Sequence, residues 1–92
     1  MRQIDGERAL KDVGRRIAEV RRERGWTQEE LAERLGIQAN NLQRIELGMQ
    51  NLTVRSLVRF ANGLGVVLAS LFEPPKSRVV RPGRPRTRVD AS

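Results

Sequence analysis

Cysteine is absent from the 92 residues, and so is histidine. Without cysteine there can be no disulfide framework and no thiolate metal site, which suits a reducing compartment and argues against a small secreted scaffold. Without histidine the commonest general base and nearly all zinc sites are missing too, leaving carboxylates, Lys, Ser and Thr for chemistry. Enzymatic activity is therefore not expected, and no cofactor or metal is implied. Long apolar runs are also lacking: nothing approaches the roughly 18 consecutive apolar residues of a membrane span, and the first residues lack the apolar stretch of a signal peptide. A soluble chain that is not exported and has no membrane partner is the expectation. No segment alternates convincingly as a strand does, so the chain reads as all-α.

Basic charge is present in excess, and it is unevenly placed. Of the formal net charge of +7, the stretch from Pro74 onward carries +5, through Lys76, Arg78, Arg81, Arg84, Arg86 and Arg88 against Asp90. Such an excess favours polyanions, above all nucleic acid, through long-range attraction and counterion release. Residues 1–9 are mixed and polar and read as a flexible N-terminus. Residues 10–73 read as one helical domain, and 74–92, rich in Pro, Arg and Gly, as a basic tail that buries too little surface to order itself.

Within the domain, apolar spacing and capping residues mark the helices. Leu10, Val13, Ile17 and Val20 form one stripe of a first helix ending near Gly25, while Arg15, Arg16, Arg22 and Arg24 fall mostly off it and read as a solvated charged face. Thr27 with Glu30 forms a capping box and Trp26 with Leu31 a hydrophobic staple, so a second helix starts at Gln28 and Trp26 reads as packing rather than as a stacking platform. Glu30 and Arg34 stand at a favourable four-residue spacing. Gly36 stops this helix, and a third runs from about Gln38 to Leu47, with Gln38 a poor cap. Thr53 caps a fourth helix, stapled by Leu52 and Leu57, with Leu57, Phe60, Ala61 and Leu64 facing inward and Gly65 as its stop. A short fifth, about Val67 to Phe72, ends against Pro74-Pro75.

The window from Gln28 to Leu47 combines Leu31, Ala32, Leu35, Gly36, Ile37, Leu42 and Ile45. Two short helices crossing steeply through a tight turn need a small residue at the contact, a turn glycine and apolar anchors, and all are here. With Leu42 and Ile45 turned to the core, Asn40, Gln43, Arg44 and Leu47 lie on the opposite face of the third helix, with Ala39 at its edge. Guanidinium, amide and small apolar groups are the chemistry that reads base edges in a DNA groove. Gln28, at a helix N-terminus, suits a phosphate contact, with Thr27 and Asn41 assisting. Arg21 and Glu46 lie near the inner edges of the first and third helices, as an ion pair or as two unrelated surface charges.

The run Gly25-Trp26-Thr27-Gln28-Glu29-Glu30-Leu31-Ala32, then Leu35-Gly36-Ile37 and Leu42-Gln43-Arg44-Ile45-Glu46-Leu47-Gly48, closely resembles the Xre, Cro and lambda-repressor-like helix-turn-helix family, and the likeness extends over about residues 13–73. The resemblance implies a five-helix domain, its third helix in the major groove, and two-fold dimers on duplex DNA that regulate transcription in the cytoplasm, at the nucleoid. It implies base contacts near Gln38, Ala39, Asn40, Gln43 and Arg44, a phosphate contact by Gln28, and an Arg21–Glu46 brace. Asn51 to Leu57 looks like the controller proteins of restriction-modification systems; an antitoxin with a toxin as partner is the alternative. Gln38 and Val67 stand where the family has Ser or Thr, and Gly63 where it usually has Ala, at a cost of about 1 kcal/mol. Val66, Val67, Leu68, Leu71 and Phe72 exceed what so small a core needs and suggest a dimer interface. In the tail, Arg81, Gly83, Arg84, Pro85 and Arg86 resemble an AT-hook for the minor groove, against a plain reading as a solubilising tail with nonspecific phosphate contacts.

Overall fold

The structure, a computed structural model, describes residue 3 and residues 5–77. Four α-helices, α1 (Gly6–Glu23), α2 (Gln28–Leu35), α3 (Ala39–Glu46) and α4 (Val54–Leu64), are followed by a 3₁₀ helix over Leu68–Phe72. The described residues contain no strand. The all-α lambda-repressor-like architecture is thus as expected, with the fifth element wound as 3₁₀ rather than α. Val67, at its N-cap, makes no side-chain cap, as a side chain without an acceptor must.

α1 begins earlier than its apolar stripe does. The Asp5 carboxylate accepts the Glu7 N–H at 3.0 Å, so a good N-cap starts the helix at Gly6 and residues expected to fray are wound into it. Each later cap follows the local signals. The Thr53 hydroxyl accepts the Ser56 N–H at 3.0 Å, and Gly65 closes α4 in the left-handed conformation.

The core gathers one stripe from each element. Ile17, Leu31, Leu42, Leu64 and Leu71 are sealed from solvent, with Val20, Ala32, Ile45, Phe60 and Ala61 beside them. Each fully buried Leu or Ile contributes about 1.5–3 kcal/mol of transfer free energy. Leu71 was expected at a dimer interface; it is instead fully buried in its own core, and Val66 and Leu68 pack against that core. Only Val67 and Phe72 of that set are exposed, because a 3₁₀ helix folded back on α1 and α4 must turn one side inward.

Of the arginines expected on a solvated face, Arg24 is exposed and Arg16 and Arg22 are half-buried, and the set is only partly open to solvent. Arg15 is buried. Arg16 donates from Nε to the Ser70 carbonyl at 2.9 Å and from Nη2 to Glu73 Oε1 at 3.0 Å. Arg24 donates to the Leu64 and Gly65 carbonyls at 2.8 and 3.2 Å, and Arg59 donates to the Leu35 carbonyl. These guanidinium groups satisfy carbonyls that helix ends leave open. They join α1 to the 3₁₀ helix, α1 to α4, and α4 to α2. The expected tail is also shorter at its start. Pro75 is buried, the Lys76 and Ser77 N–H groups donate to Glu19 Oε2 at 2.7 and 3.2 Å, and Lys76 Nζ reaches Glu23 at 3.3 Å. The chain is thus strapped to α1 as far as Ser77.

Gly14 and Gly63 sit where elements approach closely. A Cβ on Gly14 would collide with the Ile45 carbonyl oxygen and lie 2.8 Å from that of Glu46, so α1 and α3 touch backbone to backbone. A Cβ on Gly63 would lie 2.6 Å from Leu35 Cδ2, the tip of a side chain that an Ala would displace. Gly14→Ala should destabilise the fold by about 1–3 kcal/mol through overpacking, whereas Gly6→Ala, in open space, should be neutral or stabilising by a few tenths. Urea unfolding of the two variants measures the contrast, and equal stabilities would mean that α1 and α3 are not in contact there.

Candidate nucleic-acid interface

α2, the turn after it and α3 follow from a few local interactions. Thr27 Oγ1 accepts the Glu30 N–H at 3.0 Å while Glu30 Oε1 accepts the Thr27 N–H at 2.8 Å, completing the capping box. Glu30 is thereby occupied, and Arg34 lies over the Trp26 ring, 4.0 Å from its centroid, a cation–π contact. Trp26 is half-buried against the core, so it packs rather than offering an open platform. Gly36 takes φ 69°, and the Ile37 N–H reaches back to the Ala32 carbonyl at 3.0 Å. This left-handed stop turns the chain within three residues, 36–38, into α3. Gln38 makes no side-chain cap, as its residue type predicts.

A buried carboxylate fixes the orientation of α3. Glu46 accepts from Arg21 Nε at 2.7 Å on Oε2, and from Arg21 Nη2 at 3.0 Å and Gln28 Nε2 at 2.8 Å on Oε1. Arg21 Nη1 donates in addition to the Trp26 carbonyl at 2.9 Å. The side chains of Arg21 and Glu46 are 9% and 4% exposed, so this bidentate pair is desolvated. Its net contribution to stability is modest, but removing one partner leaves a buried charge unmatched. Arg21 and Glu46 are thus brought together as an ion pair, within a network that also takes in the start of α2 and the turn before it.

The outward side of α3 is open. Asn40, Gln43 and Arg44 are exposed, and none has a hydrogen-bond or ion-pair partner among the described residues. Gln38 is exposed beside them, and Ala39 is half-buried against the core. Thr27 is exposed, its hydroxyl still able to donate. Gln28 is half-buried, with one amide hydrogen used on Glu46 and the other available. Asn41 turns away from this side, lining a shallow groove with Leu35, Ile37, Ile45 and residues of the α3–α4 connection. Gly14 and the second role of Gln28 escaped the sequence reading. Gly14 and Arg21 are seven residues apart on α1, hence on one helix face, and that spacing was the available clue. The tail residues Arg81, Gly83, Arg84, Pro85 and Arg86 lie outside the described residues. No group of acidic side chains that could hold a metal ion occurs among the described residues, and none of their helices is long and apolar enough to cross a membrane.

Two short helices, α2 and α3, joined by a tight glycine turn, a braced third helix and an outward face of unpaired amide and guanidinium side chains define a helix-turn-helix. Residues 17–71 match the helix-turn-helix family HTH_3. The chain belongs to this family of non-enzymatic, Xre-like DNA-binding proteins and is a transcriptional regulator with a helix-turn-helix DNA-binding domain. It is 42% identical over 62 residues to an uncharacterized HTH-type transcriptional regulator, y4dJ, of Sinorhizobium fredii, covering 67% of this chain and 80% of that one. It is 34% identical over 61 residues to the HTH-type transcriptional regulator SutR of Escherichia coli, covering 66% of this chain and 34% of that longer protein. The fold superposes on the restriction-modification controller protein C.AhdI of Aeromonas hydrophila with a TM-score of 0.70 at 28% identity, over 75% of this chain and all of the other.

Glu46→Ala should destabilise the domain by about 3–5 kcal/mol by stranding the Arg21 charge. Denaturant unfolding checks this, and a loss under about 1 kcal/mol would show that the pair is not buried in solution.

Proposed function

We propose that the protein reads a specific duplex operator by laying α3 in the major groove, as a homodimer on two half-sites about one helical turn apart. The observation that carries this reading is the outward face of α3, where Asn40, Gln43 and Arg44 are exposed and unpaired while the opposite face is locked to α1 and α2. The groove is about 12 Å wide and admits one helix. Arg44 suits guanine O6 and N7, Asn40 and Gln43 suit adenine N6 and N7, and Ala39 a thymine methyl, with Gln38 beside them at the helix entry. Gln28 and Thr27, at the N-terminus of α2, hold phosphate through free N–H and hydroxyl groups. Asn41, on the groove side of α3, assists only at the margin.

Dimerisation through the apolar side chains left exposed at the far end, Val67 and Phe72 with Val54 and Val58 of α4, presents two copies of α3 together. The match to the whole length of C.AhdI supports a controller-type regulator acting by occlusion or by recruiting polymerase, in the cytoplasm at the nucleoid. The five arginines after Ser77 add phosphate contacts along the duplex, by nonspecific attraction or in the minor groove.

Arg44→Ala should cost about 1–3 kcal/mol on the cognate duplex and relax preference at one base position, while Gln28→Ala weakens all duplexes alike. Binding to a panel of base-substituted operators, obtained by selection from random duplexes, checks both; a uniform loss from Arg44→Ala contradicts the assignment of α3. Deleting residues 78–92 should lower the slope of log affinity against log salt by up to about 4–5. An unchanged slope leaves the tail without a DNA role.

A further inference from the structure

Lys11 occupies an unusual place for a surface lysine. A Cβ on Gly48 would lie 2.6 Å from Lys11 Cγ and 2.7 Å from its Cα, so the Lys11 stem runs against the chain where it leaves α3. Gly48 itself closes that helix, its N–H donating to the Ile45 carbonyl at 3.0 Å. Lys11 is exposed and has no hydrogen-bond or ion-pair partner among the described residues. Glu46, the acid at the end of α3, has both oxygens occupied by Arg21 and Gln28. Asp12, next along α1, pairs with Arg8 at 3.5 Å. One turn further on stands Arg15, another base. The result is an uncompensated cation held in place by a backbone contact, at the end of the helix opposite to the one that enters the groove.

We infer that Lys11 is a further DNA-contacting residue, which grips a backbone phosphate at the C-terminal end of α3. The inference rests on the reading of α3 as the groove-bound helix. Eight residues of α-helix are about 12 Å long, which matches the width of the major groove. A helix of that length entering by its N-terminal residues brings its C-terminal end to the phosphate wall. Lys11 stands beside Gly48 at that end, and Gln28 at the start of α2 supplies a second phosphate contact. A lysine ammonium on a flexible stem suits a phosphate as a point charge. The contact carries no base information, so it sets depth and register of α3 rather than sequence preference.

The test is a salt titration of binding by the full chain, with Lys11→Gln, Lys11→Arg and Arg44→Ala, on a selected operator and on a scrambled duplex of the same length. Lys11→Gln should lower the log–log slope by about 0.9 on both duplexes and weaken binding about five-fold at roughly 0.15 M salt. Lys11→Arg should restore the slope, and base preference should not change in either variant. A Lys11→Gln slope equal to that of the wild type, with or without a lower unfolding midpoint, overturns the inference and leaves Lys11 as a neutraliser of the α3 terminus. If Arg44→Ala relaxes one base position in the same titrations, that failure belongs to Lys11 alone; if it does not, the reading of α3 has failed as well.

Discussion

The Glu46 carboxylate is the point at which three helices are joined. Its two oxygens accept from Arg21 on α1 and from Gln28 on α2, and Glu46 itself belongs to α3. α3 has only eight residues, too few to persist as a helix without tertiary contacts. Its orientation is therefore a property of the network and of the apolar contacts of Leu42 and Ile45 beneath it. A carboxylate so enclosed costs desolvation, and a well-packed apolar residue would serve stability about as well. What the charged version adds is geometry: a planar guanidinium gripping both oxygens admits one rotation of α3 about its axis. A helix that reads base edges needs that rotation held to within a fraction of a turn, because its side chains lie 100° apart on the helix.

Close backbone contact performs the same task from a second side. α1 and α3 meet at Gly14 without an intervening side chain, which places the Arg21 guanidinium at bonding distance from Glu46. Elsewhere arginines supplement the glycine caps. Arg24 and Arg59 donate to the last carbonyls of α4 and α2, and Arg16 to the 3₁₀ helix. A small core of aliphatic side chains is thus surrounded by guanidinium groups that tie one element to the next. Much of the basic charge of the described residues is committed within the domain, whereas the side chains of Lys11, Arg44 and Arg55 are exposed and have no partner among those residues.

The helices and their stops were legible wherever the signal is local. Thr27 with Glu30, Thr53, and the glycines at 36 and 65 act within one turn, and their structure follows from spacing alone. The outward set on α3 was legible once Leu42 and Ile45 were given to the core. What was not legible depends on partners distant in sequence. Arg16, Arg24 and Arg59 look like surface charges until carbonyls from 24 to 54 residues away arrive beside them. Leu71 looks surplus until the 3₁₀ helix folds under α1, and Pro75 looks like tail until Glu19 is seen to hold the next two N–H groups. Asp5 was within reach, being an N-cap residue three positions ahead of the Arg8–Asp12 i, i+4 pair, but the apolar stripe drew the start of α1 toward Leu10.

In the proposed reading α3, held by the Glu46 network, is the surface that meets duplex DNA. An amide NMR titration of the full chain with its selected operator duplex tests this without any substitution. The largest shift changes are expected at residues 38–47 and at the starts of α1 and α2, with the Asn40 and Gln43 side-chain amides among them. Changes confined to α4 and the 3₁₀ helix, with residues 38–47 undisturbed at saturation, would contradict it.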